Sequence, residues 1–121
     1  MKTTGSRASA VAVNDLPELI NQYLVARGEH DLEATAAVFT PDAAVTDEGH
    51  RYHGRDEIRG WLARSGSEYN YTTTVTAATK IDDAHFTVVQ HLEGDFPGGV
   101  VDLQLHFTLR GKEISELVIA P

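Results

Sequence analysis

The spacing of the apolar residues changes near residue 70, and this change constrains the fold more than any other feature of the sequence. Before it, apolar residues recur every three or four positions, as on one face of a helix. After it, apolar and polar residues alternate, as along a strand with one buried face. Helices followed by strands are typical of the α+β class. We therefore predict three N-terminal helices on one face of a curved, mostly antiparallel sheet.

The three predicted helices have recognisable starts. The first begins with Asp15 as N-cap and ends at Gly28. Asp31 caps a second, shorter helix, whose apolar face is predicted to reach Phe39. The third carries Asp56 in its first turn, where a negative charge suits the helix dipole. Its predicted apolar face consists of Ile58, Trp61 and Leu62.

Four strands are predicted after the helices. They are residues 72–81, 85–93, 100–110 and 113–120. Because the turns between them are short, they should form an antiparallel meander in sequence order. Alternation turns one face of this sheet inward, with Phe86, Val88, Gln90, Leu92 and Leu105 among its residues. A helical layer over such a sheet leaves a cavity at its open end for a small apolar molecule.

Composition excludes several classes of partner. The net charge is -8 and the isoelectric point is about 5.1, so nucleic acid and anionic membrane surfaces are not expected to bind. No apolar run approaches the ~20 residues of a membrane span, and there is no cysteine for disulfides or thiolate metal sites. We predict a cytoplasmic protein with a mobile leader at residues 1–13 and a single domain at residues 14–121.

One stretch suggests chemistry: residues 43–53 read AAVTDEGHRYH. Alternation places Asp47 on the face of Ala43 and Val45, which would carry its carboxylate into the interior. A carboxylate there is costly to bury in its charged form, which makes Asp47 a candidate general base. The alternative is that Asp47 lies beyond the last buried position, in a turn with Gly49.

Two further polar side chains are predicted to reach the same cavity. Tyr23 belongs to the apolar face of the first helix; its hydroxyl either enters the cavity or bonds to backbone within the core. Gln90 stands among inward apolar neighbours, where it either orients a ligand or holds a strand irregularity. His50 and His53 have the spacing of a metal pair, but they lack a third ligand in sequence. We predict no metal and no cofactor.

The order INQYLVARGEHDLEATAAVFTPDAAVTDE, followed by HG-x-x-x-I-x-x-WL, resembles the nuclear transport factor 2-like superfamily. That group includes steroid isomerases, SnoaL-like polyketide cyclases, scytalone dehydratase and limonene epoxide hydrolase. The resemblance covers residues 14–119 and implies a cone-shaped fold with an internal pocket. It specifies the fold more than the reaction, because this scaffold hosts many chemistries.

The closest local similarity is to ketosteroid isomerase. By this resemblance Tyr23 matches its oxyanion-donor tyrosine and Asp47 its general base. The resemblance also implies that Trp61 closes the helical wall of the pocket and that Phe86, Val88, Gln90 and Leu92 line it. The second oxyanion donor of that enzyme, a protonated aspartate, is replaced here by Leu105.

SnoaL-type cyclases carry their acid/base aspartate on a later strand, which directs attention to Glu116. If Glu116 shares a face with Ile114 and Val118, it enters the pocket; the alternative is a solvated glutamate. Members of the superfamily commonly pair through the outer sheet face. We therefore expect a homodimer in which the outward-facing residues meet: His85, His91, Asp102 and His106.

The sequence thus supports two hypotheses about function. In the first, the protein is an isomerase-, cyclase- or lyase-like enzyme that uses Asp47 as a base and Tyr23 as a donor next to a carbonyl group. In the second, it is a non-catalytic ligand-binding or dimerisation module on the same fold. Leu105 favours the second hypothesis, whereas the pairing of Tyr23 with Asp47 favours the first.

Overall fold

The computed structural model describes residues 9–65 and 70–121, and over these residues helices pack on one sheet of seven strands. The helices are α1 (Glu18–Gly28), α2 (Leu32–Ala36) and α3 (Arg55–Ser65). The strands are β1 (Ser9–Ala10), β2 (Phe39–Asp47), β3 (His50–His53), β4 (Tyr71–Asp82), β5 (His85–Gly94), β6 (Val100–Arg110) and β7 (Glu113–Ala120). The predicted α+β class is confirmed, with a sheet that is not closed into a barrel.

The sheet has the strand order β1-β4-β5-β6-β7-β2-β3. The predicted meander is confirmed, since β4 to β7 pair antiparallel with their sequence neighbours. The exception to antiparallel pairing is β2, which lies parallel to β7. This pairing brings the strand that follows the second helix beside the last strand of the chain.

The core lies between the helices and the inner sheet face. Tyr23 of α1 packs its ring edge-to-face against Phe39 and Phe107, with ring centroids 5.9 Å and 5.5 Å apart. Such aromatic pairs contribute about 0.5–1.5 kcal/mol beyond the area they bury. Ile58 of α3 and Leu117 of β7 are also fully buried in this cluster. These contacts with the core fix the position of the Tyr23 ring.

The helix ends differ partly from the prediction. Asp15 does not cap α1, because it ends a 3₁₀ turn at Val13–Asp15 and α1 begins at Glu18 after Pro17. Asp31 caps α2 as predicted, and its carboxylate accepts a hydrogen bond from the Ala34 amide at 3.1 Å. The predicted extension of this helix to Phe39 is wrong, since Phe39 is the first residue of β2.

The segment His50–His53, which is outside the four predicted strands, is strand β3. It pairs antiparallel with β2, so that Asp47 faces His50 across a two-residue turn. Both turn residues, Glu48 and Gly49, have positive φ, at 52° and 78°. This conformation is the type I′ turn that matches the twist of a hairpin. The hairpin holds the end of β2 in a fixed place.

An irregularity in β7 reverses the predicted orientation of Glu116. Thr108 of β6 pairs with Glu116, whereas the next residue, Leu109, pairs with Ile114, so Ser115 is the extra residue of a β-bulge. Ile114 and Leu117 both enter the core, and Glu116 lies on the opposite face. The prediction that Glu116 shares the face of Ile114 is therefore wrong.

The predicted leader falls only partly within the described residues. Residues 1–8 lie outside them. Ser9 and Ala10 form β1 and pair with Lys80 and Thr79 of β4, and the Val11 amide donates to the Ala78 carbonyl at 2.9 Å. Among residues 9–65 and 70–121, no helix is both long enough and apolar enough to cross a membrane.

Candidate active site

A cavity of about 1110 Å³ opens at one end of the sheet, beside the C-terminal half of α1. Its wall combines the ends of β2, β5 and β7, the starts of β4 and β6, and the last residue of α3. Most of the sheet residues in the wall are apolar, including Leu92, Val101, Leu103 and Ile119. The polar groups are fewer, and they are concentrated between α1 and the end of β2. This arrangement suits an apolar molecule with one polar end.

Tyr23 is the tyrosine that α1 contributes to this cavity. Its ring is buried, and the residue also belongs to the cavity wall. Burial raises the pKa of Tyr23 above 10.0, while the charge and the hydrogen bond of Arg27 act in the opposite direction. Asp47 adds a smaller contribution that raises the same pKa. The phenol is therefore protonated at neutral pH.

Asp47 is the last residue of β2 and also lies in the cavity wall. Its neighbour on the same strand face, Val45, is fully buried. Asp47 Oδ2 accepts a hydrogen bond from Trp61 Nε1 at 3.0 Å. The turn that the alternative interpretation required is present, but it consists of Glu48 and Gly49 and begins after Asp47. The structure thus brings Asp47 and Tyr23 together in one cavity.

Trp61 supports the carboxylate from α3. Its indole is almost completely buried and stacks on Tyr52 of β3, with ring centroids 6.2 Å apart and planes inclined by 30°. The guanidinium carbon of Arg27 lies 4.6 Å from the centre of the indole ring. One side chain therefore connects the base candidate on β2 with a cation on α1. Trp61 itself does not line the cavity, but it contacts two residues that do, Asp47 and Arg27.

Arg27 is the functional candidate that the sequence reasoning missed. It lies one helical turn after Tyr23, lines the cavity, and donates from Nη2 to Ser65 Oγ at 3.0 Å. A cation in the last turn of a helix is ordinary, because it complements the helix dipole. The signal in the sequence was its i, i+4 spacing from Tyr23, which places both side chains on one helix face.

The other predicted pocket residues fall into two groups. Gln90, Leu92 and Leu105 line the cavity. Phe86 and Val88 share their strand face but lie in the packed core, because the cavity opens at the opposite end of β5. The wall therefore extends less far along β5 than alternation alone indicated.

Glu116 is also absent from the cavity wall. After the bulge at Ser115 it forms an ion pair with Arg51 at 3.2 Å on the far side of the sheet. Leu105 occupies the position implied for a second oxyanion donor and is almost fully buried, so that place in the wall is apolar.

The histidines that the sequence singled out lie outside the cavity, whereas His30 lines it. His50 and His53 are exposed on β3, and the described part of the chain has no group of three or more His, Cys, Asp or Glu placed to hold a metal ion. On the outer sheet face His91 bonds to Asp102 at 2.6 Å and to Glu93 at 2.9 Å. These two carboxylates raise the pKa of His91, with Asp102 the larger cause. His106 bonds to Thr87 on the same face.

The fold and the site define a class of protein: an α+β domain with an open sheet and a cavity lined by a carboxylate and a phenol. The SnoaL-like domain family matches residues 20–117, and the chain belongs to this family. None of the curated proteins with which the chain was compared matches it.

Solved structures agree with this assignment. A candidate polyketide cyclase from Sinorhizobium meliloti is 31% identical, with a TM-score of 0.84 over 91% of this chain and 100% of that one. A protein with a ketosteroid isomerase-like fold from Catenulispora acidiphila, solved with trimethylamine, is 25% identical, with a TM-score of 0.76 over 87% and 85%. A Mycobacterium tuberculosis protein solved with estradiol-17β-hemisuccinate shares the fold at 13% identity, with a TM-score of 0.72 over 86% and 91%.

Proposed function

We propose that this SnoaL-like domain is an enzyme that removes a proton from the carbon next to a carbonyl group in a small, largely apolar ring compound. Asp47 is the general base and Tyr23 is the donor that binds the carbonyl oxygen. The observation that carries the proposal is that both side chains line one cavity, Asp47 from β2 and Tyr23 from α1. The reaction belongs to the isomerase, cyclase or lyase type.

The geometry leaves the reactive atoms available. Trp61 Nε1 donates a hydrogen bond to Asp47 Oδ2, and no described residue donates to Oδ1. This oxygen can accept the α-proton of a substrate. Because burial raises the pKa of Tyr23, the phenol keeps its hydrogen at neutral pH and can donate it to the substrate carbonyl. A positioned base contributes about 10²–10⁴ in rate, and one oxyanion donor about 10²–10³.

The proton transfer produces an enolate with its charge on the oxygen at Tyr23. If the enolate is reprotonated at another carbon, the net reaction is isomerisation. If its carbon attacks a second carbonyl of the same molecule, a ring closes, the π bond of that carbonyl opens to an alkoxide, and the alkoxide takes back the proton held by Asp47. A cavity of about 1110 Å³ has room for a multi-ring compound. The Sinorhizobium meliloti neighbour, a candidate polyketide cyclase, favours ring closure. The estradiol derivative held by the Mycobacterium tuberculosis protein is also a multi-ring compound.

The second candidate function is a ligand-binding module without turnover. The observation that favours it is Leu105, which puts an apolar side chain where a second donor would stabilise the enolate. The two functions differ in whether the bound ligand loses a proton.

Deuterium exchange at the α-carbon distinguishes them. The ketone 2-tetralone is incubated with the protein in heavy water, and loss of its α-proton signals is followed by NMR. The wild type should accelerate exchange, and Asp47→Asn should reduce the acceleration by about 10²–10⁴. Glu116→Gln is the matched control, since it removes the same charge outside the cavity. Equal exchange by the wild type and Asp47→Asn would remove Asp47 from the mechanism.

We also propose that the protein forms a homodimer in the cytoplasm through the outer sheet face. This face carries His85, His91, Asp102 and His106. A dimer through these histidines should respond to pH near the ~6.5 reference pKa of histidine. Sedimentation at about pH 5.5 and about pH 8 tests this, and an unchanged mass at both values would contradict the pH response.

A further inference from the structure

Arg27 differs from four other arginines, which form ion pairs: Arg51 with Glu116, Arg55 with Glu113, Arg59 with Glu33 and Asp56, and Arg110 with Asp42. Within residues 9–65 and 70–121, no carboxylate lies within ion-pair distance of Arg27. In a chain with a net charge of -8, a partly buried arginine without an anionic partner is unusual.

The contacts of Arg27 fix its place but leave its hydrogen-bonding capacity largely unused. The indole of Trp61 supports the guanidinium plane, and Ser65 Oγ accepts a hydrogen bond from Nη2. A guanidinium has five N–H donors, more than this one oxygen can use. Its planar fork is suited to a carboxylate bound through two parallel hydrogen bonds.

Trp61 also explains why Arg27 does not pair with Asp47. The indole contacts both: its Nε1 donates to Asp47, and its ring lies against Arg27. The cation and the carboxylate are thus held at separate points of the cavity wall. Their charges stay available to a ligand, and they divide the cavity into an end that attracts anions and an end that repels them.

We propose that Arg27 binds a carboxylate group carried by the substrate, so that the substrates are ring compounds with both a carbonyl and an acidic group. This proposal rests on the proposed function, whose substrate class it narrows. Tyr23 and Arg27 lie one turn apart on the same face of α1 and both line the cavity, so one ligand can contact both side chains.

The charges around the cavity favour one orientation of such a substrate. Asp47 and Glu48 line the end at the β2–β3 hairpin, whereas Arg27 and His30 line the end at α1. A carboxylate is repelled from the first end and attracted to the second. In this orientation the substrate carboxylate is at Arg27 and its carbonyl is at Tyr23. The α-carbon on the hairpin side of the carbonyl then faces Asp47, as proton removal requires.

Calorimetric titration with two ligands of the same shape tests the proposal. The probes are anthraquinone-2-carboxylate and its neutral carboxamide. The wild type should bind the carboxylate about tenfold more tightly or better, as expected for charge-assisted hydrogen bonds. Arg27→Gln should lose this preference, and Arg27→Lys should keep part of it because the charge remains. Arg51→Gln removes a charge outside the cavity and should keep the full preference.

Three results would overturn the proposal: no preference in the wild type, a preference that survives in Arg27→Gln, or no binding of either probe. Circular dichroism of Arg27→Gln shows whether the fold is retained, and Arg27→Lys provides a second reading if it is not. The proposed function is tested by a different experiment: equal deuterium exchange by the wild type and Asp47→Asn would contradict it. A preference that depends on Arg27, together with such equal exchange, would support the carboxylate site and reject Asp47 as the base.

Discussion

The hydrogen bond between Trp61 Nε1 and Asp47 Oδ2 should be measurable as a coupling in stability. Trp61→Phe removes the N–H donor and part of the indole, and should lower the free energy of unfolding by about 2–3 kcal/mol. A bond to a charged acceptor contributes about 1.5–3 kcal/mol. Since Asp47 is only partly buried, we expect the lower part of this range. The rest comes from lost contacts with Tyr52 and Arg27.

A double-mutant cycle isolates the bond from these other contacts. Trp61→Phe, Asp47→Ala and the double variant are unfolded in urea and followed by far-ultraviolet circular dichroism, because Trp61 is the single tryptophan and its fluorescence disappears in the variant. The double variant should lose about 1.5–2 kcal/mol less than the sum of the single variants. A difference below about 0.5 kcal/mol would mean that the two residues act independently. That result would refute the claim that Trp61 holds the base.

Two other predictions concern the hairpin turn and the outer sheet face. Gly49→Ala places a Cβ at φ +78° and should destabilise the fold by about 1–2 kcal/mol, measured by urea unfolding; an unchanged midpoint would contradict the type I′ turn. Asp102 and Glu93 raise the pKa of His91 in the folded state, so its stabilising effect is present below the unfolded pKa of ~6.5 and is lost as the pH rises through the folded value. The melting temperature of His91→Gln should therefore fall furthest below that of the wild type in acid, and a gap that is independent of pH would exclude this linkage.

Sequence reasoning was most successful where one periodic pattern applied without interruption. In β5 and β6 every second residue is apolar over most of the strand, and Val88 pairs with Leu105 on the inner face as alternation requires. The end of β2 follows the same alternation, which is why Asp47 could be placed on the same strand face as Val45. These assignments depend only on neighbours within a strand.

Prediction failed where a local feature interrupts the pattern. One extra residue, Ser115, turns Glu116 to the other face, and no residue type in that stretch marks the bulge. The strand His50–His53 is short and polar, so its pairing is visible only with β2 beside it. Arg27 was missed because its contacts come from Trp61 and Ser65 on α3, and neither contact is local in sequence.

The parallel pairing of β2 with β7 determines when the site can form during folding. Val45 lies beside Leu117, so this contact joins positions separated by more than half of the chain. Contacts of long sequence separation carry a larger loop-closure entropy and form late. The β4–β7 meander needs only local contacts and can form first, while Asp47 reaches its place only when β2 docks on β7. In pulsed hydrogen exchange during refolding, the amides of β2 should therefore become protected after those of β5 and β6.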